Sequence, residues 1–487
     1  MRDLHSLFEG LREGLFRYYN TPFALASKEL QDERQRLLDR DEASWRYPYV
    51  EPIREFRSAP GTVEDACAAA GAPAELATFA RIGLLPQGVD SLYTHQAAML
   101  KSALAGRNAV VTAGTGSGKT EAFLLPILGG LLSESADWQR PNADAPPLWW
   151  RSGANWVPQR QHERRTAAVR AMVLYPMNAL VEDQLVRLRR ALDGPGIRDW
   201  MAENRPDQRF YFGRYTGQTP ISGGPEKRST RDRLKTILRK AEERALRAAE
   251  DDPDGTDGRR FYVPQLGGAE MRSRWDMQAH PPDVLITNYS MLNIMLRRRR
   301  DDPIFEMTRA WLEDPANVFT LVVDELHMYR GTQGSEVAYL IRNLLLRLGL
   351  LERPEQVRFL AASASLEAGR DEEFLEGFFA QPHTSFDVHR GEFRQLDGPA
   401  PNLEGQLDRL VSLDEDEDLS QLVSDLGAVR ALNDACVDAE GRSLTRALPE
   451  LAKSLFPDAN GSGEAATANL LRAVGETEAL RTRAHLF

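Results

Sequence analysis

The hydrophobic positions of this chain form short apolar runs, rich in β-branched residues, separated by longer segments with helical periodicity. Such continuous runs are typical of strands that are buried on both faces of a sheet. Strands that alternate with helices predict right-handed crossovers and therefore an α/β fold, with a single parallel sheet flanked by helices. The strand candidates are Asn108–Thr112, Ala171–Tyr175, Arg209–Tyr215, Asp283–Thr287, Phe319–Asp324 and Val357–Ala362.

The segments on either side of this pattern are predicted to be mostly helical. An amphipathic helix that starts near Leu4 ends before Pro22, because proline cannot continue the helical hydrogen-bond ladder. We therefore predict a helical N-terminal domain at residues 1–88 and an α/β core domain at residues 89–368. Residues 369–487 are predicted to be a mostly helical region, and they carry no catalytic motif.

Two insertions are predicted within the core, at residues 134–168 and 221–280. The first contains Trp149 and Trp150 close to several arginines, so these rings either stack on bases or are buried in their own domain. We favour burial. The second contains the charge-rich residues 226–251, which predict a solvated helix with charge pairs four residues apart.

Composition and charge restrict the class of protein. The net charge of −11 over 487 residues argues against a surface covered in basic residues, although a local positive channel for nucleic acid remains compatible with it. No apolar run reaches the roughly 18 residues that a membrane span needs, which predicts a protein without a membrane partner. Cys67 and Cys436 lie too far apart in sequence to suggest a disulfide framework or a zinc site, which predicts a cytoplasmic location.

The stretch that ends at Thr120 joins the first predicted strand to a helix through a glycine-rich loop. Gly116 and Gly118 let backbone N–H groups turn toward phosphate oxygens, and the helix N-terminus adds partial positive charge. Lys119 is placed to reach the β and γ phosphates of ATP, and the Thr120 hydroxyl is placed to hold Mg2+. Ala113 replaces the first glycine of the general pattern. The candidate nucleotide-binding residues of the loop are Gly114, Thr115, Gly116, Ser117, Gly118, Lys119 and Thr120.

Two adjacent carboxylates, Asp324 and Glu325, end another predicted strand. Asp324 is placed to coordinate Mg2+, and Glu325 is placed to orient the attacking water or take its proton. His327 follows and completes an Asp-Glu-x-His pattern. Because this pattern follows a phosphate loop in the sequence and belongs to the same predicted sheet, it predicts ATP hydrolysis. The predicted catalytic residues are Lys119, Asp324, Glu325 and His327.

The combined pattern resembles superfamily 2 helicases of the DExH kind, which implies a RecA-like fold for the core. In these helicases a glutamine upstream of the loop reads the adenine edge, and Gln96 in Tyr93-Thr-His-Gln96 matches it. Ser363-Ala-Ser365 resembles the element that couples hydrolysis to domain movement, with Ser363 and Ser365 as its hydroxyl residues. The residues that match the family's nucleic-acid contacts are Pro176, Asn178, Gln184, Thr216, Gly217, Thr287 and Asn288.

A narrower resemblance involves three segments, at residues 18–25, 282–292 and 324–336. They are similar to a group of large bacterial helicases that includes the DISARM antiphage helicase subunit and relatives of the mitomycin-repair helicases. This resemblance implies DNA as the substrate, with a duplex or junction favoured over a single strand. It also implies subunits of a defence system as partners.

Helicases of this class hold ATP between two RecA-like domains, and the second domain supplies arginine fingers. No Gln-x-x-Gly-Arg-x-x-Arg element follows residue 370. An arginine finger contributes on the order of 10³–10⁵ to turnover, so this chain alone is expected to bind ATP but to hydrolyse it slowly. We expect the second RecA-like domain in a missing C-terminal part or in a separate chain.

Three functions fit these features. The first is the ATP-binding half of an ATP-dependent DNA helicase or translocase in bacterial antiphage defence or DNA repair. The second is a loading or scaffold subunit that binds nucleotide and DNA without turnover. The third is a translocase that moves on duplex DNA without separating the strands. The presence of Lys119, Asp324 and Glu325 together argues against a scaffold, which has no need of hydrolytic groups.

Overall fold

The chain is described here by a computed structural model. The described residues are 4–23, 25–40, 44–51, 54–114, 116–141, 144–152, 155–221, 223–366, 369–394, 401, 403–412, 419–438, 444–459 and 462–476. Two compact units contain them: residues 56–392 form one, and residues 1–55 together with 393–487 form the other. This division follows packing, so the predicted domain bounds at residues 88 and 368 stay predictions.

The unit of residues 56–392 is built on a seven-stranded sheet in which every pair of neighbouring strands is parallel. The strands of the described chain are β1 (Tyr49–Val50), β2 (Asn108–Thr112), β3 (Ala171–Tyr175), β4 (Phe212–Tyr215), β5 (Val284–Asn288), β6 (Phe319–Val323), β7 (Val357–Ser363), β8 (Phe386–Arg390) and β9 (Arg446–Ala447). The strand order in the large sheet is β4-β5-β3-β6-β7-β2-β8. The predicted α/β fold with one parallel sheet flanked by helices is confirmed.

The six predicted strands are present, and their bounds move by at most three residues. β4 begins at Phe212 and not at Arg209, because Phe212 lies opposite Val284, where its partner strand β5 begins. β8 was not predicted, because Asp387, His389 and Arg390 make it look unlike a buried strand. It lies at the edge of the sheet beside β2, where polar side chains can reach solvent.

Helices fill the connections between the strands and make up most of the second unit. Their bounds are α1 (Leu4–Asn20), α2 (Lys28–Leu38), α3 (Val63–Ala69), α4 (Glu75–Gly83), α5 (Thr94–Leu104), α6 (Lys119–Ser135), α7 (Asn178–Asp193), α8 (Pro195–Asn204), α9 (Arg228–Asp251), α10 (Arg274–Ala279), α11 (Tyr289–Arg297), α12 (Asp302–Trp311), α13 (Thr332–Leu348), α14 (Glu372–Phe379), α15 (Leu407–Val411), α16 (Leu419–Asp425), α17 (Ala428–Ala435), α18 (Leu448–Leu455) and α19 (Gly463–Glu476).

The large sheet has an apolar cluster on each face, because successive side chains of a strand point to opposite sides. Ala109 and Val111 of β2 join one cluster, whereas Val110 between them joins the other. Helices α4, α5, α6 and α7 cover the first face, and α11, α12, α13 and α14 cover the second. The burial of both faces explains why these strands are continuously apolar in the sequence.

The other unit contains a two-stranded antiparallel pair, with Tyr49 of β1 opposite Ala447 of β9. Helices α15 to α19 pack around an apolar cluster that includes Leu410, Leu451 and Leu470. No helix among the described residues of the chain combines the length and the hydropathy needed to cross a membrane. Cys67 and Cys436 are free and buried.

The first insertion packs against the second through buried tryptophans and reaches the sheet through a buried ion network. Trp149 and Trp150 are almost fully buried, so the interpretation that they are packed in their own domain is confirmed. Asp283, directly before β5, accepts hydrogen bonds from Arg165 at 2.7 and 2.8 Å and from Arg170 at 2.9 Å. Burial raises the pKa of Asp283, but the surrounding guanidinium groups outweigh burial and lower that pKa to about 2.

Replacement of Asp283 tests this network. Because its folded pKa of about 2 lies below the usual value of 3.8, its stabilising contribution is present above pH 4 and is lost as the pH falls from 4 to 2. We expect Asp283→Asn to lower the free energy of unfolding by about 3–5 kcal/mol at pH 7, since it leaves buried arginines without their partner. Chemical denaturation at pH 7 and pH 3 measures both effects. An equal loss of stability at the two pH values would contradict the assignment.

Candidate active site and nucleic-acid interface

The phosphate loop connects the end of β2 to the start of α6, as the sequence predicts. Gly116 and Gly118 have φ angles of 73° and 68°, in the left-handed region that side chains disfavour. A Cβ atom on Gly118 would lie 2.2 Å from the Gln96 Nε2 atom, whereas one on Gly114 would meet nothing within 4 Å. Thr115 lies outside the described residues. The backbone shape of the loop therefore depends on two glycines, and only one of them is also packed against a neighbour.

The N-terminal turn of α5 contacts the phosphate loop through two polar side chains. Gln96 donates from Nε2 to the carbonyl of Gly118 at 3.0 Å and accepts from the backbone N–H of Tyr93 at 2.9 Å. The buried ring of His95 lies 2.8 Å from the carbonyl of Ser117 through Nε2. Both ends of the Gln96 amide are thus engaged within the chain, and its predicted contact with adenine stays a prediction. His95 was missed, although it stands beside Gln96 in the motif.

The two polar side chains at the end of the loop face different neighbours. Lys119 donates from Nζ to the carbonyls of Ala113 at 3.0 Å and Gly114 at 3.4 Å, so its ammonium group lies over the loop. The Thr120 hydroxyl accepts a hydrogen bond of 3.2 Å from Gln184 Nε2 on α7. Gln184 was predicted to contact nucleic acid; the structure places its buried amide against the phosphate loop, and the nucleic-acid contact stays a prediction.

The acid pair follows β6 at the same edge of the sheet. Asp324 is 6% exposed, and burial, followed by the charge of Glu325, raises the pKa of its carboxyl group to about 6. The charges of Lys119 and Arg187 act in the opposite direction and lower that pKa, but burial outweighs them. The Asp324 carboxylate and the Thr120 hydroxyl offer hard oxygen ligands, which fit Mg2+ and would hold it.

Glu325 has a φ angle of 51°, a conformation that non-glycine residues rarely adopt outside functional sites. Its backbone N–H donates to Asp324 Oδ1 at 2.8 Å, and this bond fixes the carboxylate. The Asp324 side chain is buried and that of Glu325 is partly exposed, so the two carboxylates lie in different surroundings. Their catalytic roles stay predictions.

His327 links the acid pair to the segment after β7. Its Nδ1 atom lies 3.3 Å from Glu325 Oε2 and accepts a hydrogen bond of 3.3 Å from the backbone N–H of Ala364. Without a proton Nδ1 accepts from Ala364, and with one it donates to Glu325, so it can serve one neighbour at a time. Ser365 donates its N–H to the Ser363 hydroxyl at 3.4 Å. The predicted coupling residues Ser363 and Ser365 therefore flank the residue that touches His327.

The segments predicted to contact nucleic acid follow β3, β5 and β4, which are adjacent in the sheet. After β3, Pro176 is buried and Asn178 is exposed at the start of α7. Asn288 donates from Nδ2 to Asn178 Oδ1 at 2.6 Å and accepts from the N–H of Met291 as the N-cap of α11. Two of the three segments are thus joined by a direct hydrogen bond between side chains.

Two predicted contact residues have buried side chains. Thr287 donates its hydroxyl to the carbonyl of Tyr215 at 2.7 Å. Thr216 accepts at its hydroxyl from the N–H of Gln218 at 3.3 Å, and Gly217 between them is exposed. These threonines shape the turns, so nucleic acid at this edge would meet Gly217 and Asn178 rather than the two hydroxyl groups. Their predicted contacts stay predictions.

The carboxyl edge of the sheet therefore has two halves. The segments after β2, β6 and β7 bring together the phosphate loop, the acid pair and the serine element, whereas those after β3, β5 and β4 carry the predicted nucleic-acid contacts. A phosphate loop and an acid pair at one edge of a parallel sheet define a nucleotide-hydrolysing class of domain. Residues 93–210 match the DEAD/DEAH box helicase family. The predicted resemblance to superfamily 2 helicases is confirmed, and these residues match the helicase domain of this family.

Two relatives show how far the similarity extends. Over 441 residues the chain is 33% identical to the Druantia protein DruE of Escherichia coli (strain UMEA 4076-1), covering 81% of this chain and 22% of DruE. Over 264 residues it is 23% identical to the uncharacterized ATP-dependent helicase YprA of Bacillus subtilis (strain 168), covering 54% of this chain and 22% of YprA. The chain thus spans about a fifth of the length of these relatives.

Solved structures are similar at lower identity. The crystal structure of the DUF1998 helicase MrfA bound to DNA is 20% identical, with a TM-score of 0.37, over 75% of this chain and 34% of that one. The structure of Mss116p bound to ssRNA and AMP-PNP is 10% identical, with a TM-score of 0.38, over 80% of this chain and 56% of that one.

Alanine substitutions of three loop glycines test the loop geometry. Gly118→Ala combines a left-handed φ with displacement of Gln96, Gly116→Ala has the φ penalty alone, and Gly114→Ala has neither. A left-handed φ costs an L-residue about 1–2 kcal/mol. We therefore expect the smallest decrease in melting temperature for Gly114→Ala, a larger one for Gly116→Ala and the largest for Gly118→Ala. Differential scanning fluorimetry measures it. An equal effect of all three substitutions would contradict this geometry.

Asp324→Asn tests the burial of the acid pair. Because the folded pKa of about 6 exceeds the usual 3.8, the associated stability is complete below pH 3.8 and is lost as the pH rises through 6. Asparagine does not ionise, so the variant is expected to be more stable at pH 8 by up to about 3 kcal/mol. Its advantage should shrink toward pH 4. Thermal unfolding measures the difference, and Asp183→Asn, at an exposed aspartate of α7, is the control. A variant less stable than the parent at pH 8 would refute the assignment.

Proposed function

We propose that this chain is the ATP-binding half of an ATP-dependent DNA helicase or translocase, which needs a second RecA-like domain for full hydrolysis. The observation that carries the proposal is the sheet register: β2 leads into the phosphate loop and Lys119, β6 leads into Asp324, and both strands run parallel to β7 between them. Lys119 and Asp324 therefore follow strands that end at the same edge of the sheet. Lys119 binds the β and γ phosphates, and the Thr120 hydroxyl and Asp324 carboxylate hold Mg2+. Bound Mg2+ would neutralise charge on the phosphates.

In this proposal the remaining residues orient the reaction. Glu325 positions the attacking water and takes its proton, and its backbone N–H keeps the Asp324 carboxylate in place. His327 contacts both Glu325 and the backbone of Ala364, and so links the acid pair to the segment between the two coupling serines. Gln184 orients the Thr120 hydroxyl.

The biological setting follows from sequence resemblance. The segments at residues 18–25, 282–292 and 324–336 are similar to antiphage and mitomycin-repair helicases of bacteria, and the identity to DruE extends over most of the chain. We therefore propose antiphage defence or DNA repair as the pathway, DNA as the substrate, and defence-system subunits as partners. Two free, buried cysteines agree with a reducing cytoplasm as the location.

ATP binding by the chain, followed with a fluorescent ATP analogue and Mg2+, tests the site. Lys119→Ala removes charge-assisted hydrogen bonds to phosphate and is expected to weaken binding about 10- to 100-fold. Glu325→Gln is expected to retain binding and to abolish hydrolysis once a second RecA-like domain is supplied. Lys101→Ala, at an exposed lysine of α5, is the matched control and should change neither quantity.

Two results would overturn this assignment. Unchanged ATP affinity in Lys119→Ala would show that the phosphate loop does not hold the nucleotide. Hydrolysis that survives Glu325→Gln in the complete complex would show that another residue activates water. Nucleotide-dependent DNA affinity without any turnover in that complex would favour the scaffold function instead.

A further inference from the structure

Helix α9 of the second insertion differs in charge from the rest of the chain. It contains eight basic and five acidic residues, which gives +3 by subtraction, in a chain whose net charge is −11. Only one ion pair joins two of its own residues, Arg228 and Asp232 at 3.8 Å. The predicted solvated helix is present, but the predicted repetition of charge pairs four residues apart is wrong for most of its length.

One face of α9 is anchored to the protein. Leu234 and Leu238 are buried in an apolar cluster with Trp150. The indole N–H of Trp150 donates to Glu242 Oε2 at 3.0 Å, and Arg239 Nε donates to the Trp150 carbonyl at 2.9 Å. These bonds fix the rotation of the helix about its axis and turn Glu242 inward, away from the solvent face.

The opposite face carries a row of four exposed cations, here called the basic row. Its members are Arg233, Lys240, Arg244 and Arg247. They are spaced seven, four and three residues apart, so they share one face of the helix. Within the described part of the chain none of the four forms an ion pair. Glu243 and Glu250 are exposed on the flank of this row. Like charges three or four residues apart destabilise a helix by tenths of a kcal/mol per pair. An anionic ligand bound along the row would offset this repulsion.

The support of α9 is tied to the predicted nucleic-acid edge. Trp275 lies in the same apolar cluster as Leu234, and its indole N–H donates to the carbonyl of Gly223 at 2.7 Å. The neighbouring Arg274 donates from Nη2 to the carbonyl of Thr216 at 2.7 Å. The helix and the turn after β4 are thus fixed to the same short element, α10.

We propose that the basic row of α9 is an additional binding site for the sugar-phosphate backbone of DNA, separate from the segments after β3, β4 and β5. The proposal rests on the proposed function, because it assigns a further contact to the same nucleic acid. From Arg233 to Arg247 the row extends over about 21 Å, at 1.5 Å per residue. Duplex DNA presents one phosphate about every 3.4 Å of axis on each strand, so the row can contact several phosphates at once. Contacts to phosphate oxygens carry no sequence information directly, so we expect binding at this row to be independent of sequence.

A charge-neutralised variant tests the basic row. The variant is R233Q/K240Q/R244Q/R247Q in the full chain, and the probe is a labelled DNA duplex titrated by fluorescence anisotropy over a series of salt concentrations. Each phosphate contact contributes about 0.9 to the slope of log affinity against log salt. We expect the slope to become shallower by about 2 to 4 and the affinity at low salt to fall at least about 10-fold. The same strand without its complement is a second probe, for which each contact contributes about 0.7.

The control variant removes the same number of charges from exposed sites elsewhere. Its substitutions, at basic residues without an ion pair among the described residues, are K28Q, K101Q, R140Q and K453Q. It changes the net charge equally, so it should keep the slope of the parent chain if the effect is local. A pair variant, K240Q/R244Q, should give about half the change in slope and serves if the fourfold variant does not fold.

The outcomes separate this proposal from the proposed function. If the parent chain binds DNA and the basic-row variants keep its slope, or if the control variant loses as much as they do, the basic row is not a DNA site and the proposed function stands. If the parent chain binds neither ATP nor DNA, both proposals fail. ATP binding that is unchanged in the fourfold variant shows that the nucleotide site is intact, and a loss of slope is then due to the basic row.

Discussion

A buried carboxylate opposite a lysine at the end of parallel strands is the interaction on which the rest of the structure depends. The Asp324 carboxylate is almost removed from water, which makes its charge costly, and Lys119 and Arg187 offset part of that cost. The position of this carboxylate depends on the sheet, because Asp324 directly follows β6. β7 lies between β2 and β6 and pairs with both, and apolar clusters cover both faces of the sheet. The sheet and its two apolar faces thus keep the Asp324 carboxylate in a buried position, where its charged form is disfavoured.

The fold could be predicted because its strands are buried on both faces and therefore leave uninterrupted apolar runs in the sequence. β8 escaped prediction for the complementary reason: at the edge of the sheet it keeps Asp387 and His389, and edge strands do not need an apolar pattern. The phosphate loop and the acid pair could be predicted because each has its residues close together in sequence. Their spatial proximity followed from the rule that parallel strands end at one edge.

Hydrogen-bond partners across long sequence separations could not be predicted in the same way. Gln184 and Thr120 lie 64 residues apart, and no local pattern distinguishes an amide that meets a hydroxyl from one that meets DNA. The prediction of charge pairs along α9 was wrong for a similar reason. Periodicity gives the face on which each residue lies, but it does not reveal the hydrogen bond to Trp150 that turns Glu242 away from the basic residues of the helix. Sequence patterns thus locate the groups, and packing decides which of them remain available.

One helix has a place in both halves of the sheet edge. α7 begins at Asn178, which accepts a hydrogen bond from Asn288, and about 9 Å further along its axis it presents Gln184 to Thr120. The same rigid element therefore contacts the nucleic-acid half of the edge at its first turn and the hydroxyl beside the phosphate loop further along. Both contacts lie within one unit of the chain, so any link between the two halves of the edge through α7 needs no second domain.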